Sequence, residues 1–263
     1  MSTSGACGAS INSADEQEPV LSVRGATKRY GAVQALAGAD LDVHASEVVA
    51  LVGDNGAGKS TLVKVISGAI TADSGTIAFD GEQVRITRPQ DAQSLGITTV
   101  FQDLALCENL DVVANLHLGS EVRSYSVLGE IRMERAARDL LRSLDVKIKD
   151  VRTPVASLSG GQRQSVAIAR ALLGEPRMVI LDEPTAALGV EQTAQVLGLV
   201  KRLRERGLAV VLISHNLVDV REVSDRVVVL RLGRNAGTFE TASTTQEEIV
   251  AAITGADAYG IAS

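Results

Sequence analysis

The stretch VVALVGDNGAGKSTL, from Val48 to Leu62, decides the fold of this chain. Its first half is a continuous apolar run, as expected of a strand that is buried on both faces. Its second half matches the pattern GxxxxGK[ST], in which glycines let backbone N–H groups turn toward phosphate oxygens. The helical spacing of Leu62, Val63 and Ile66 then indicates a helix that ends at Gly68. A strand, a glycine-rich turn and a helix in this order predict a phosphate-binding α/β core.

Within this loop, particular side chains have predicted tasks. Lys59 would place positive charge near the outer phosphates, and the hydroxyl of Ser60 would ligate Mg²⁺. The alternative is a chance glycine-rich turn, and the flanking strand and helix argue against it. We therefore expect the whole loop to bind the phosphates of a nucleotide: Gly53, Asp54, Asn55, Gly56, Ala57, Gly58, Lys59, Ser60 and Thr61.

Composition excludes several classes of protein. The chain has 263 residues, of which 45% are hydrophobic and 2% aromatic, so we expect a globular protein without an aromatic platform for nucleic acid. The net charge of −6 does not favour binding to nucleic acid or to an anionic membrane. Cys7 and Cys107 form no metal or disulfide pattern, which indicates a reducing compartment. No apolar run approaches the roughly 18 residues of a membrane span, and no signal pattern opens the chain, so we expect a cytoplasmic location.

Strand patterns appear on both sides of a helical region. VLSVRGATKRYG and LAGADLDVHASE indicate two short strands, GITTVFQ indicates another, and GTIAFDGEQV indicates a hairpin that turns at Asp80 and Gly81. Further along, MVILDE and LAVVLIS indicate buried strands, and VEQTAQVLGLVKRLRERG indicates a helix that ends at Gly207. RVVVLRLG and NAGTFE indicate a last hairpin, and TQEEIVAAI indicates a short helix after it. Between residues 103 and 173 helical patterns dominate. There MERAARDLLRSL places one apolar face on Ala137, Leu140, Leu141 and Leu144.

These patterns predict an α/β fold with a phosphate-loop nucleotidase core. The core would contain a mainly parallel sheet, an N-terminal antiparallel β region and an inserted α-helical subdomain. We expect the core at residues 20–102 and 174–255 and the helical subdomain at about 103–173. Residues 1–19 and 256–263 are predicted to be tails.

A pair of acids ends the strand MVILDE, which runs from Met178 to Glu183. Ligands of open α/β folds bind at the carboxyl edge of the sheet, where this pair would lie. Because successive strand residues point to opposite faces, Asp182 and Glu183 are expected to have separate tasks. Asp182 would hold Mg²⁺ through water, and Glu183 would polarise an attacking water. Two ordinary acids at a solvated strand end are the alternative for this pair alone.

A second glycine motif, LSGGQRQSVAIARALLGEP, begins at Leu158, just upstream of the DE strand. It resembles the signature loop of ATP-binding cassette (ABC) ATPases, and the resemblance extends from Val20 to about Gly255. The resemblance implies an ATP-hydrolysing domain over residues 20–255. It also implies a homodimer in which each ATP lies between the phosphate loop of one copy and the signature loop of the other. The signature residues expected to contact ATP are Ser159, Gly160, Gly161 and Gln162.

Three more residues match motifs of this family. Gln102 in VFQDLAL matches the glutamine loop, which senses Mg²⁺ and the γ-phosphate. His215 in LISHN matches the switch histidine, which contacts the γ-phosphate and positions the water together with Glu183. Tyr30 in TKRYGAVQAL matches the aromatic residue that stacks on adenine. Outside this context, such a histidine or tyrosine is more often a structural residue.

The details of the motifs are similar to those of ATPases from bacterial monosaccharide importers of the ribose, xylose and fructose type. GDNGAGKSTL, FQDLAL, EPTAALGV and VLISHN carry this resemblance, in particular to single-cassette, fructose-type members. It implies membrane permease subunits as partners and a periplasmic sugar-binding protein as an indirect partner. Residues 104–119 are the candidate contact with the permease, and packing within the helical subdomain is the alternative role for these residues. The resemblance also implies a peripheral location on the cytoplasmic face of the inner membrane. Gly189 stands where many ABC ATPases have an aspartate in a loop that crosses the dimer interface.

Two other functions remain open at this level. One is a soluble ABC ATPase that acts on nucleic acid or ribosomes. Such proteins tend to carry paired cassettes with a linker or a long coiled-coil insert; neither is visible in this sequence, and its net charge is negative. The other is a regulatory module that binds ATP without productive turnover. The presence of Glu183 and His215 argues against that module.

Overall fold

The computed structural model describes residues 18–124 and 127–256. Cys7, most of the tail expected over residues 1–19 and nearly all of the one expected over 256–263 lie outside these ranges. Among the described helices, none has both the length and the apolar character that crossing a membrane requires.

The described residues form twelve strands and eight α-helices. The strands are β1 (Leu21–Tyr30), β2 (Val33–Val43), β3 (Val48–Val52), β4 (Ser74–Phe79), β5 (Glu82–Val84), β6 (Ile97–Val100), β7 (Arg123–Ser124), β8 (Val127–Leu128), β9 (Met178–Asp182), β10 (Ala209–Ile213), β11 (Arg226–Arg231) and β12 (Arg234–Glu240). The helices are α1 (Lys59–Ile66), α2 (Pro89–Ser94), α3 (Val112–His117), α4 (Glu130–Ser143), α5 (Gly160–Leu172), α6 (Val190–Glu205), α7 (Leu217–Val223) and α8 (Gln246–Thr254).

The central sheet has the strand order β12-β11-β3-β10-β9-β6. Its strands β11, β3, β10, β9 and β6 are parallel, and β12 pairs antiparallel with β11 at one edge. All five residues of β3 are buried, as the apolar run Val48–Val52 predicted. Because the strands are parallel, the carboxyl ends of β3, β6, β9 and β10 lie at one edge of the sheet, where ligands of open α/β folds bind.

A second, antiparallel sheet of order β2-β1-β4-β5 covers one face of the phosphate-loop region. Its apolar residues share a hydrophobic cluster with α1 and with one face of the central sheet. The predicted turn between β4 and β5 is confirmed: Asp80 and Gly81 have φ of +50° and +77° and connect the paired residues Phe79 and Glu82. The predicted α/β class, with a mainly parallel sheet and an N-terminal antiparallel region, is therefore confirmed.

Helices α3, α4 and α5 lie between β6 and β9 in the chain. Their apolar residues form one continuous cluster with the other face of the central sheet and with α6. Ala137, Leu141 and Leu144 are buried in this cluster, and Leu140 is partly buried against it, as the periodicity predicted. This packing holds the N-terminus of α5, where Ser159 lies, against the beginning of α6.

Several local predictions were wrong. Strand β2 begins at Val33 rather than Leu36 and ends at Val43. Its hairpin with β1 is therefore longer than the one predicted from the sequence. A short antiparallel pair, β7 and β8, lies within the region expected to be helical. Helices α2 and α7 were not predicted, because each has fewer than eight residues and therefore little periodicity. For α2, Pro89 at the first helical position was an available signal.

Candidate functional site

The phosphate loop connects β3 to α1 and requires glycine at two places. Gly53 has a φ of +146°, and a Cβ on it would overlap the carbonyl oxygen of Leu230. Gly58 has a φ of +109°, and a Cβ there would lie 2.7 Å from the carbonyl oxygen of Ala35 in β2. The loop therefore passes so close to neighbouring backbone that these two positions exclude any side chain.

Lys59 lies at the first position of α1 and is folded back over this loop. Its Nζ donates hydrogen bonds to the carbonyl oxygens of Gly53 at 2.6 Å and Asp54 at 3.0 Å. The side chain is largely buried, and this desolvation lowers the pKa of Lys59, whereas the negative charges of Glu183, Asp54 and Asp182 oppose the shift. An anion that approached the loop would give this ammonium group a charged partner in addition to two backbone carbonyls.

Glu183 and His215 form a direct pair at the same edge of the sheet. Glu183 directly follows β9, and His215 lies two residues after β10. Nδ1 of His215 is 2.8 Å from Oε2 of Glu183, and the His215 side chain is 74% exposed whereas that of Glu183 is 17% exposed. With Nδ1 engaged by the carboxylate, Nε2 of His215 is the ring nitrogen that remains available to a ligand.

The backbone of Glu183 differs from the prediction. The strand ends at Asp182, and Glu183 has a left-handed φ of +51° instead of continuing the strand. Its N–H donates to the carbonyl oxygen of Ile213 in β10 at 3.0 Å. A left-handed conformation is uncommon for residues other than glycine, and here it turns the Glu183 side chain away from the pleat of β9.

Asp182, Ser60 and Gln102 are the residues expected to serve Mg²⁺. Asp182 ends β9, Ser60 is exposed at the start of α1, and Gln102 follows the adjacent strand β6. Burial, together with the negative charge of Glu183, raises the pKa of Asp182 above its ordinary value. A carboxylate, a hydroxyl and an amide offer the hard oxygen ligands that Mg²⁺ prefers, and a bound cation would offset the unfavourable charge at Asp182. These residues therefore fit the ion.

Replacing Asp182 by asparagine is expected to stabilise the nucleotide-free protein at neutral pH. Since the pKa of Asp182 is raised by folding, its contribution to stability falls as the pH rises through that pKa, and it is least favourable at pH 7. We expect Asp182→Asn to raise Tm by about 1–3 °C at pH 7, with the difference vanishing near pH 4. Thermal unfolding of the wild type and variant from pH 4 to 8 measures this.

Asp139→Asn on α4 is the control for the loss of one carboxylate, because the Asp139 side chain is 65% exposed. A lower Tm for Asp182→Asn across the whole pH range would contradict the expectation. The same variant should lose Mg²⁺-dependent hydrolysis, which separates stability from activity at this position.

Tyr30 lies at the tip of the β1–β2 hairpin. It ends β1 opposite Val33, its residue is 47% exposed, and Nζ of Lys28 lies 6.0 Å from the centroid of its ring. Strand β2 runs from this tip past Gly58, since Ala35 is the residue that a Cβ on Gly58 would contact. The hairpin therefore carries an exposed aromatic ring at its tip, and its second strand passes the phosphate loop.

The signature motif forms the N-terminus of α5. Ser159 is the N-cap: its Oγ accepts from the N–H of Gln162 at 3.3 Å, while the side chain of Gln162 accepts from the N–H of Ser159 at 3.0 Å. A Cβ on Gly160 would lie 3.0 Å from the Leu188 side chain, and one on Gly161 would lie 2.9 Å from Cβ of Gln192. The two glycines thus also allow close packing against the segment after β9 in the same chain.

The structure places the two glycine motifs in separate surroundings. The phosphate loop lies beside Glu183 and Asp182, whose charges act on Lys59. Ser159 and Gln162 instead line a cleft of about 500 Å³ with residues of α6, including Gln192 and Arg202. Within one chain, therefore, Lys59, Asp182, Glu183 and His215 are brought together, and the signature loop is not part of that group.

Sequence analysis missed a buried acid beside the catalytic candidates. Asp219, in the first turn of α7, is 6% exposed and accepts hydrogen bonds from Thr185 and Asn216. The available signal was the spacing of Asn216 and Asp219, an N-cap residue followed three positions later by an acid.

Comparison with known proteins places this architecture in a family. A model of the family described as "ABC transporter" matches residues 36–186. The chain belongs to the ABC transporter family. The resemblance found in the sequence motifs is thereby confirmed for more than half of the chain.

Relatives within the ABC family extend the match to nearly the full length. The chain is 45% identical to the fructose import ATP-binding protein FrcA of Rhizobium meliloti over 248 residues, which cover 91% of this chain and 95% of the relative. It is 44% identical to the xylose/arabinose import ATP-binding protein XylG of Sulfolobus acidocaldarius, covering 89% of this chain and 94% of the relative. The ribose import ATP-binding protein RbsA 1 of Rubrobacter xylanophilus is 45% identical over 90% of this chain, but this match covers only 47% of that relative.

Solved ABC cassettes share the fold. The ADP conformation of MJ1267, an ATP-binding cassette of an ABC transporter, superimposes with a TM-score of 0.77 at 27% identity, covering 90% of this chain and 95% of that chain. A dimeric structure of MJ0796, a bacterial ABC transporter cassette, gives a TM-score of 0.70 at 28% identity and covers 84% of this chain and 98% of that chain. Each of these solved cassettes is covered almost completely by this chain.

Proposed function

We propose that this chain is the ATP-hydrolysing subunit that energises the membrane importer of a monosaccharide. The observation that carries this proposal is that Lys59 and its phosphate loop, here called the cradle, lie beside the Glu183–His215 pair. The chain is also 45% identical to a fructose import ATP-binding protein. Phosphate binding alone requires only the cradle. The paired acid and histidine at the same sheet edge provide the groups that hydrolysis of the γ-phosphate needs in addition.

In this mechanism, the residues act by positioning and by charge. Lys59 and the backbone N–H groups of the loop offset the charge of the outer phosphates. Glu183 accepts a hydrogen bond from the attacking water and orients it, and Nδ1 of His215 holds the carboxylate in place. Nε2 of His215, the ring nitrogen that Glu183 does not engage, contacts the γ-phosphate. Tyr30 stacks on the adenine.

Mg²⁺ belongs to the same proposal. Ser60, Asp182 and Gln102 are the residues that would hold it, directly or through water. Bound there, the ion would neutralise charge on the phosphate oxygens. The raised pKa of Asp182 supports this assignment, because burial without a cation disfavours its charged form.

A second copy of the chain would complete each ATP site. The signature residues Ser159, Gly160 and Gly161 lie apart from Lys59 in the single chain, and a similar ABC cassette has been solved as a dimer. We infer that Ser159 faces the γ-phosphate of the partner's nucleotide and that hydrolysis requires closure of the two copies. Gly189 is the N-cap of α6, and a Cβ added to it would meet no atom within 4 Å. Because glycine has no side chain, nothing at this position reaches across the proposed interface.

A cleft of about 540 Å³ at the end of β6 fits the permease partner. It is lined by residues of β6, by the segment after it, and by parts of α3 and α5. Phe101 and Leu118 expose apolar surface there, and Arg170 supports the rim by donating to the carbonyl oxygens of Leu104 and Ala105. This position supports residues 104–119 as the contact with short cytoplasmic helices of the permease, because a cleft with exposed apolar side chains can accommodate the apolar face of a helix.

Co-purification tests the proposed function. The tagged chain, expressed in its native host and extracted in mild detergent, should bring down a membrane permease, and a periplasmic sugar-binding protein should associate with that complex. After reconstitution, adding fructose, xylose, arabinose or ribose with the binding protein should raise the ATPase rate for one of them. Recovery of nucleic acid or ribosomes instead would refute the importer, and tight ATP binding without turnover in the complex would indicate a regulatory module.

The contact surface gives a sharper test. Leu118→Asp should abolish co-purification of the permease, because it puts a charge on the exposed apolar rim of the cleft. Ile131→Asp is the matched control: Ile131 is 81% exposed on α4 and does not line the cleft, so this variant should retain the permease. Both should keep the Tm of the wild type within about 2 °C, since both side chains are exposed. Permease recovery with Leu118→Asp equal to the control would place the contact elsewhere.

A further inference from the structure

Glu183 and His215 must keep a fixed relation although each lies outside regular structure. Glu183 follows β9 in a left-handed conformation, and His215 follows β10 with most of its side chain in solvent. A 2.8 Å contact between two such side chains orients a ligand only if the loops that carry them are held together. The hydrogen bond from the Glu183 N–H to the carbonyl oxygen of Ile213 joins the two loops where they leave β9 and β10. It does not hold the residues that follow Glu183 and His215.

Asp219 links the continuation of both loops. Its Oδ2 accepts from the hydroxyl of Thr185 at 2.7 Å, and its Oδ1 accepts from the side-chain amide of Asn216 at 2.9 Å. Thr185 lies two residues after Glu183, and Asn216 immediately follows His215. One buried carboxylate therefore joins the two catalytic loops at Thr185 and Asn216, just after Glu183 and His215 in the chain.

We propose that Asp219 is the positioning residue that fixes His215 relative to Glu183. This inference rests on the proposed ATPase function and deepens it. Asp219 is 6% exposed, and its two hydrogen bonds go to Thr185 and Asn216, so it acts through the two loops rather than on the reacting atoms.

The donors at Asp219 define what it contributes. Both are neutral groups, a hydroxyl and an amide, so the geometry of two hydrogen bonds matters rather than attraction to a cation. Asn216 is exposed and Thr185 is half-buried, so water can replace the lost acceptor when Asp219 is removed. Asp219→Ala should therefore increase the mobility of the two loops more than it lowers the stability of the whole protein.

Steady-state kinetics test the proposal. Asp219→Ala should lower kcat for ATP about tenfold, with KM for ATP within about twofold of the wild type, because the phosphate loop is untouched while the water-orienting pair is misplaced. Asp219→Asn should retain most of kcat: its carbonyl can accept from Asn216, and its amide can donate to the hydroxyl oxygen of Thr185. In nucleotide-free Asp219→Ala, hydrogen–deuterium exchange should accelerate in the peptides that contain residues 183–188 and 214–218.

Two further variants separate positioning from general stability. Ser224→Ala removes a buried hydroxyl at the other end of α7, where Ser224 bonds Val220 and Thr241, and it should leave kcat unchanged. Thr185→Val should reproduce part of the loss, and combining it with Asp219→Ala should add little, since both changes break the same link.

The outcomes distinguish this inference from the proposed function. A wild-type chain that hydrolyses no ATP with its permease would defeat the proposed function itself. An active wild type with an equally active Asp219→Ala would overturn the positioning role. So would a loss of kcat that Ser224→Ala shares, or a full additivity of Thr185→Val and Asp219→Ala.

Discussion

Lys59→Ala is expected to reduce ATP hydrolysis by at least about a hundredfold, because it removes the buried charge that we assign to the outer phosphates. In the structure, the ammonium group of Lys59 is held over the loop by the carbonyl oxygens of Gly53 and Asp54. Burial lowers the pKa of Lys59, and an anion bound at the loop would offset the desolvation that causes this shift. ATPase assays with the permease complex and nucleotide-binding titrations of the isolated chain measure the effect.

Lys64→Ala is the matched control for this prediction. Lys64 lies on the same helix α1 but is exposed, and it supplies only a minor electrostatic contribution at Asp182. We expect hydrolysis within about threefold of the wild type for Lys64→Ala, as for most exposed substitutions. Wild-type turnover by Lys59→Ala would mean that the phosphates bind elsewhere on the molecule.

Glu183→Gln is expected to abolish hydrolysis while ATP binding persists, so that an ATP-bound dimer accumulates. Glutamine keeps an acceptor for Nδ1 of His215, which lies 2.8 Å from Oε2 of Glu183, so the local geometry should survive. It removes the basic carboxylate that orients the attacking water, and we expect at least about a hundredfold loss of turnover. Light scattering with ATP and Mg²⁺ should show the mass of a dimer for the variant.

Glu205→Gln, an exposed change near the end of α6, controls for the loss of one negative charge and should behave as the wild type. Adding the membrane partner gives the dimer its best opportunity to form. If Glu183→Gln remains monomeric with ATP and Mg²⁺ even then, the ATP site shared between two copies is wrong.

Together, Lys59→Ala and Glu183→Gln distinguish the two tasks that we assign to these residues, which are phosphate binding and orientation of the attacking water. Lys59→Ala should lose both binding and turnover, whereas Glu183→Gln should lose turnover alone. This difference follows from their positions: Lys59 is part of the phosphate loop itself, and Glu183 lies at the end of a neighbouring strand.

Local order was predictable where residue types have a single structural use. The apolar run Val48–Val52 can be satisfied only by a strand covered on both faces, and all five of its residues are buried. The glycines of the phosphate loop anticipated the left-handed conformations of Gly53, Gly56 and Gly58. Likewise, Ser159 and Gln162 form the reciprocal cap that a serine with a glutamine three residues later predicts.

Contacts between distant segments were not predictable in this way. The turn of Glu183 out of β9 has no local signal, since glutamate rarely adopts a positive φ and is held there by tertiary contacts. The hydrogen bond between Asp219 and Thr185 was equally hidden, because the two residues lie 34 positions apart in the chain. The pairing of β7 with β8 was missed because two-residue strands carry no periodicity.

The sequence by itself determined the strand–loop–helix that cradles phosphate, the signature motif and the order of sheet and helices, since each depends on neighbours within a few residues. Only the tertiary structure decided that Glu183 meets His215, that Asp219 ties their loops together, and that the signature glycines pack on Leu188 and Gln192. The physical reason is that burial, close packing and hydrogen bonds between adjacent strand ends depend on which segments the fold brings together, and a local pattern of residues does not contain that information.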